Sequence, residues 1–334
     1  MTKIKVAVLM GGKSDEREVS LVSGKSVMAG FDKKKYEVIP VEISANGKRW
    51  EIMDQRSIEN FLPTISREAR KDSLALVENS DKSLNLPQTG VQADVVFIAL
   101  HGKNGEDGVI QGLLDYVGIP YTGCGVLASA IGMDKIMFKR LIDGLGIKTA
   151  KWWVYEKGKE YPVPCVVKPS NNGSSVGVSI VKRKKDFARA IEMAKKYDDR
   201  IIVEEYIKGI EVSCGVLGDE ALPVIEIVSK NEFFDYEAKY INDMCEEICP
   251  ARISEKLTKK IQNLSLKIFR MIGGSGFGRV DMIIRDGVPY VLEINTIPGL
   301  TPNSLLPKEA NAAGYSFAKM LDKMVELALK KPLR

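Results

Sequence analysis

The chain carries one histidine in 334 residues, His101. Sites that hold zinc on several imidazoles are therefore excluded, and any Ser-His-Asp arrangement would have to use that ring. Cysteine is sparse too: five thiols, odd in number and scattered. The one close pair, Cys245-x-x-x-Cys249, lacks the second pair or the histidines that would complete a metal site, so both read as structural. No apolar run approaches the ~20 residues needed to cross a bilayer, and the apolar start, Val6 to Met10, stops at Gly11-Gly12, too soon for a secretory segment. A cytoplasmic protein with reduced thiols and no membrane contact is expected. Charge of one sign is also missing: 49 Lys and Arg against 44 Asp and Glu leave +5. Short basic runs such as Lys182-Arg183-Lys184-Lys185 read as solvated surface, and no nucleic-acid partner is expected.

Two nucleotide signatures are absent as well. Gly12-Lys13-Ser14 and Gly24-Lys25-Ser26 both offer the last residues of a Walker A loop, but the glycine it needs five positions before the second is Ala7 or Val19. No G-x-G-x-x-G follows the first apolar run, which argues against a nicotinamide-binding unit. Any nucleotide chemistry must use another cradle.

What is present is ordinary soluble composition, 45% hydrophobic and 28% charged, in a chain long enough for two or three units. Apolar β-branched runs at Lys3 to Met10, Tyr36 to Ile43 and Asp94 to Leu100, separated by helical patterns such as Val109 to Val117, predict a parallel sheet covered by helices. Residues 44–90 have no strong period and read as a peripheral insertion. A turn-rich passage ending at Gly125 marks the first boundary and leads into a long helix beginning near Val126. Strand-like runs at Val163 to Lys168, Val176 to Val181 and Arg200 to Ile207, with a helix carrying Phe187, Ile191 and Ala194, form a small central α+β unit. Further strands, a helix from Ser254 to Ile272, the pair Arg279 to Ile284 and Val288 to Asn295, and a terminal helix from Ser316 complete a third. The predicted units are 1–124, 125–210 and 211–334.

Several residues stand where apolar ones would be expected. Lys135 shares a helical stripe with Leu127, Ile131, Phe138 and Ile142, and Lys168 ends the apolar strand before Pro169. Two inward lysines suggest a polyanion between them. Ser170 to Gly177 is a run of small residues whose N–H groups and hydroxyls suit a phosphate. Glu204, Glu205 and Glu211 surround a strand end where carboxylates and backbone groups could read a purine and its ribose. The strongest cluster is Asp281 with Glu293 and Asn295: the Asp286-Gly287 turn makes their strands neighbours, and Glu293 and Asn295 share a face at i, i+2. Two carboxylates and an amide are hard-cation ligands, suited to Mg²⁺ bridging nucleotide phosphates. Arg279 shares their face and could stabilise a developing oxyanion.

These motifs together resemble the ATP-grasp ligases and, among them, the D-alanine:D-alanine ligase family. The resemblance runs in order from Leu9-Met-Gly-Gly-Lys-Ser-Asp-Glu-Arg-Glu-Val-Ser-Leu21 through Ala99-Leu-His-Gly-Lys-Asn-Gly-Glu-Asp-Gly108, Val167 to Gly177 and Phe234 to Tyr240 to Gly278-Arg-Val-Asp281 and Leu292 to Thr301. It implies a three-unit ATP-grasp architecture with an N-terminal parallel-sheet domain, and an enzyme in which ATP phosphorylates one D-alanine carboxylate and the amine of a second D-alanine attacks the acyl phosphate. It implies Lys135, Lys168, Ser175 and Lys239 for the phosphates; Glu204 and the backbone near Tyr206 and Ile207 for adenine; Glu211 for ribose. Asp281, Glu293 and Asn295 would hold two Mg²⁺, with Mn²⁺ an acceptable substitute. Glu16 would meet the first D-alanine's ammonium beside His101, with Ser174 and Tyr240 hydrogen-bonded to Glu16. Arg279 and the Gly299 N–H would stabilise the tetrahedral oxyanion, and Ser304 and Leu305 would receive the second carboxylate. Residues 231–245 are expected to close over nucleotide as a lid, and a homodimer is expected. Glu237-Ala-Lys-Tyr240 resembles dipeptide-forming rather than depsipeptide-forming members; D-serine as second substrate stays open.

Overall fold

The computed structural model describes residues 2–53, 92–229 and 245–331. The first unit is a four-stranded sheet of β1 (Ile4–Gly11), β2 (Tyr36–Ile43), β3 (Trp50–Ile52) and β4 (Val95–Ile98), in the order β3-β2-β1-β4. β1 pairs in parallel with β2 and β4, as the alternation of strand and helix patterns predicts. β3 pairs antiparallel on the edge of β2, so the stretch read as an insertion opens with a strand; residues 54–91 lie outside the described residues.

β1 is buried on both faces, which is why it reads as an unbroken apolar run. Ala7 and Leu9 meet Ile110 and Leu114 of α2 (Val109–Val117). Val6, Val8 and Met10 join a cluster with Val27 of α1 (Arg17–Gly30) and with residues from the far end of the chain, Met320, Leu321 and Met324. The N-terminal sheet thus shares a core with the C-terminal segment.

The long helix expected from Val126 is two helices, α3 (Val126–Met133) and α4 (Lys135–Gly144). Asp134 separates them: its backbone leaves the helical region, and its carboxylate accepts from Ile136 N and Met137 N, capping α4. Arg200 and Ser170 hold the same carboxylate. The break turns Leu127 out to solvent, while Phe138 and Ile142 stay buried.

β5 (Trp152–Val154), β6 (Cys165–Pro169), β7 (Ser179–Val181) and β8 (Ile201–Glu205) form an antiparallel sheet in the order β5-β8-β6-β7. α5 (Phe187–Lys195) covers one face through Ala190, Ile191 and Ala194, the stripe its period predicts. A six-stranded antiparallel sheet follows: β9 (Ile210–Leu217), β10 (Glu220–Ala221), β11 (Ile225–Ser229), β12 (Cys245–Ile248), β13 (Phe277–Arg285) and β14 (Val288–Asn295), with path order β12-β11-β9-β13-β14 and β10 on β9. α6 (Glu255–Met271), capped by Ser254, packs Ile261, Ile268 and Phe269 against it, together with Phe138 and Ile142 of α4. α7 (Leu305–Ala312) and α8 (Phe317–Lys330), the latter capped by Ser316, finish the chain. Burying the Met320, Leu321, Met324 and Val325 side chains contributes roughly 1.5–3 kcal/mol each before entropy is counted.

Candidate active site

The carboxyl ends of the parallel strands open on one side. β1 lies between β2 and β4, so the strand order changes direction there, and ligands favour such a switch point. Gly11 makes the exit: its φ of +85° and an approach of 2.6 Å between a notional Cβ and Ile43 O leave room for glycine alone. The chain then turns into α1 and places Glu16 at its start, 3% exposed. β4 delivers His101 opposite. Ser14 ties the two loops, its Oγ donating to His101 O at 2.6 Å and accepting from Glu16 N at 3.2 Å.

His101 is buried. Its Nε2 shares a hydrogen bond of 2.8 Å with Ser23 Oγ, and Nδ1 lies 3.3 Å from Glu106 Oε1, which also accepts from Gly102 N. Burial opposes charge on the ring, but the hydrogen bond and charge of Glu106, with Glu16 beyond, outweigh it and hold the imidazole pKa above its usual value. The sequence does not mark Ser23 and Glu106 as site residues. Glu106 stands inside the Gly105-Glu-Asp-Gly108 run, while Ser23 looks like any small residue on a helix.

The 170–177 loop reaches across from β6. Ser174 and Ser175 both take positive φ, +50° and +56°, and Ser174 Oγ donates to Glu16 Oε2. Gly173 lies so close that a Cβ there would meet Glu16 Oε1 at 2.5 Å. The expected link between Ser174 and Glu16 is therefore present. Its third member, Tyr240, lies outside the described residues, as do Lys239 and most of the expected lid.

Glu16, His101 and Ser174 line a cavity of about 560 Å³ whose other wall contains Arg279, Glu293, Asn295, Gly299, Ser304 and Leu305. Asp281 faces Glu293 across the β13–β14 pair, as the hairpin reading requires, and Arg279 faces Asn295. The Arg279 guanidinium forks onto Asp281 at 2.8 and 2.7 Å, and Ser213 Oγ donates to the same carboxylate at 2.5 Å. Asn295 Oδ1 accepts from Ile297 N, and Ser304 Oγ meets Thr301 Oγ1 at 2.8 Å where α7 begins. A helix N-terminus at the cavity wall is a ready receptor for a carboxylate.

A second, smaller space of about 50 Å³ adjoins, bordered by Lys135, Lys168, Ser175, Glu211, Asp281 and Glu293. Lys135 and Lys168 are each 9% exposed and inward, as their positions among apolar residues predict. Lys135 Nζ donates to Asn172 O at 2.7 Å and lies 3.2 Å from Glu293 Oε2. Lys168 Nζ donates to Glu204 Oε2 at 3.0 Å. Glu204 is 2% exposed, while Glu205 pairs with Arg285 at 3.0 Å. Tyr206 N donates to Pro164 O, and Ile207 is buried. Lys139, one turn after Lys135 on α4 and fully buried, was missed, although the i, i+4 spacing was legible. Glu309 of α7 was missed too: it is fully buried behind Arg279, its Oε1 accepts from Gly215 N at 2.9 Å, and burial raises its pKa to about 8.

Residues 5–124 match the family profile described as D-ala D-ala ligase N-terminus, and 127–326 match D-ala D-ala ligase C-terminus. The chain belongs to the D-alanine–D-alanine ligase family. A D-alanine–D-alanine ligase of Caldicellulosiruptor bescii is 41% identical over 99% of this chain and 96% of its own, and one of Geotalea uraniireducens is 41% identical over 98% and 96%. Among solved structures, the Bacillus anthracis D-alanine–D-alanine ligase has a TM-score of 0.76 at 34% identity over 98% of both chains. The VanG D-Ala:D-Ser ligase of Enterococcus faecalis has 0.78 at 34%, over 98% of this chain and all of that one. A complex of the Bacillus anthracis enzyme with ATP also matches, with a TM-score of 0.75 at 32% identity over 98% of both chains.

Proposed function

We propose that this chain joins two D-alanines to D-alanyl-D-alanine, consuming ATP through a D-alanyl phosphate, and so supplies the dipeptide for peptidoglycan. One observation carries the reading: a single cavity brings Glu16 and His101 from the N-terminal sheet against Arg279, Gly299 and Ser304 from the C-terminal one, beside the space bordered by two buried lysines.

A carboxylate is a poor electrophile, so activation must come first. The first D-alanine sits with its ammonium on Glu16 near His101, and Ser174 and Tyr240 hold Glu16. Its carboxylate oxygen attacks the terminal phosphorus of ATP; ADP leaves, and the acyl phosphate remains. Lys135, Lys168, Ser175 and Lys239 hold the phosphates, Glu211 the ribose, and Glu204 with the backbone at Tyr206 and Ile207 the adenine. The second D-alanine, its carboxylate on Ser304 and the Leu305 N–H, attacks the acyl carbon through its amine. Arg279 and the Gly299 N–H stabilise the tetrahedral oxyanion, which collapses with loss of phosphate, the leaving phosphate taking up the proton that the amine nitrogen sheds.

The donor set fits a hard divalent cation. Among the described residues no three His, Cys, Asp or Glu form a metal group, so Asp281 and Glu293 need the amide of Asn295 and oxygens from phosphate to complete a shell, the arrangement Mg²⁺ favours. Both carboxylates now rest against cations, Asp281 on Arg279 and Glu293 on Lys135. When bound, two Mg²⁺ would neutralise the phosphates, with Mn²⁺ able to replace them.

We assign 1–124 to first-substrate binding, 125–210 and 211–334 to the two halves of the ATP grasp, the protein to the cytoplasm, and its assembly to a homodimer. Among the described residues no helix is long and apolar enough to cross a membrane. The similarity to a D-Ala:D-Ser ligase keeps D-serine as the rival second substrate. ADP release from Mg-ATP should depend on D-alanine; equal release with L-alanine would contradict the proposal.

A further inference from the structure

Lys139 has no exposed surface, and burying an ammonium is costly unless it is paired. Its Nζ lies 3.5 Å from Glu204 Oε1, bonds to Thr149 Oγ1 and reaches Val291 O at 3.4 Å. The other oxygen of Glu204 accepts from Lys168 at 3.0 Å. One buried carboxylate therefore faces two lysine side chains, one more than its charge needs; burial lowers the Lys139 pKa, and the charge of Glu204 opposes that. Of the three, Lys168 alone borders the small cavity. Burial works against charge on Glu204, yet Lys139 and Lys168 hold its pKa below the usual carboxylate value.

The arrangement matters when an anion arrives. Lys168 cannot serve a phosphate fully while it is the counter-ion of a carboxylate that is only 2% exposed. With Lys139 in place, Glu204 keeps a partner after Lys168 turns away. Without it, Lys168 is the only cation left to that buried charge among the described residues, and stranding a buried charge is strongly unfavourable.

We propose that Lys139 is a positioning residue for nucleotide binding: as the standing counter-ion of Glu204, it lets the Lys168 ammonium leave that carboxylate for a phosphate of the bound nucleotide. This rests on the reading that places the triphosphate against Lys135 and Lys168, which ATP-dependent turnover of the parent enzyme tests separately. The experiment measures KM for ATP and for D-alanine in Lys139→Met, Glu204→Gln and the double variant of the full chain. Lys139→Met should raise KM for ATP about tenfold, the weight of one lost charge-assisted contact, and leave KM for D-alanine within about twofold. In the Glu204→Gln background, where no carboxylate needs a counter-ion, the same change should cost less than about twofold. A residue that merely fills space would cost the same factor in both backgrounds, and that result overturns the proposal. So does an unchanged KM for ATP in the single variant. If Lys139→Met alone does not fold, the pair Glu204→Gln and double variant still decides. A double variant within about twofold supports the proposal; one about tenfold weaker, or unfolded, contradicts it.

Discussion

Replacing Glu309 by Gln should change how stability depends on pH. The carboxyl is fully buried at the back of the active site, one oxygen accepting from Gly215 N. Burial, only partly offset by Arg279, raises its pKa from an ordinary 4.5 to about 8. In the unfolded chain the same group loses its proton near 4.5. Between those values the native state binds more protons, so stability falls as pH rises through that window. Each pH unit in the window is worth ~1.4 kcal/mol, giving a ceiling of about 5 kcal/mol. Water entry and relaxation on ionisation reduce this, and about 2 kcal/mol is the working expectation. Glutamine copies the protonated acid: its carbonyl can still accept from Gly215, and it never ionises. Urea unfolding at pH 5.5, 7 and 8.5 should therefore give a parent that loses about 2 kcal/mol more than Glu309→Gln between the ends of the range. Both proteins carry His101 and every other titrating group, so the difference isolates position 309. Parallel profiles would refute the reasoning.

Asp281→Asn and Glu293→Gln should each cut turnover more than about a hundredfold, as expected for groups acting on developing charge; Glu293→Gln should keep its thermal midpoint within a few degrees of the parent, whereas Asp281→Asn also strands the buried Arg279 guanidinium and should lower it; unchanged rates would remove them from the metal site. Gly173→Ala puts a methyl 2.5 Å from Glu16 Oε1 and should raise KM for the first D-alanine several-fold while leaving KM for ATP nearly unchanged, separable in initial-rate kinetics. Met324→Ala removes a fully buried side chain from the core that α8 shares with the N-terminal sheet and should cost about 2–5 kcal/mol in denaturant unfolding. A cost below about 1 kcal/mol would mean that the shared core is not tightly packed.

Much of this architecture is legible in the residues because strands buried on both faces, such as β1 and β13, or in alternation, such as β14, leave a plain apolar signal. β1, β2, β13 and β14 read as apolar runs, and their ends fall within a residue or two of expectation, with β2 and β14 matching to the residue. The caps Ser254 and Ser316 announce α6 and α8. The break at Asp134 was hidden because the apolar stripe continues in phase across it, and capping by one carboxylate is a three-dimensional event. Lysines inside apolar stripes gave away Lys135 and Lys168. Lys139 escaped because a lysine beside a stripe is ordinarily solvated through its long stem, and only the position of Glu204 on β8 turns it inward. Glu309 escaped for a like reason: Leu305 to Ala312 has no local sign that position 309 faces β9 rather than water. Glu204 is the instructive case. Its place at a strand end was readable, but its two lysine partners come from α4 and β6, and no linear pattern joins those to β8.

The central claim is that the cavity between the N- and C-terminal sheets makes a D-alanine dipeptide at the expense of ATP. Product analysis of the enzyme supplied with Mg-ATP and equal D-alanine, D-serine and D-lactate tests it most directly. The account predicts D-alanyl-D-alanine as the main product, with one ADP and one phosphate released per dipeptide. A main product ending in D-serine or D-lactate, or ADP formed without any dipeptide, would contradict it.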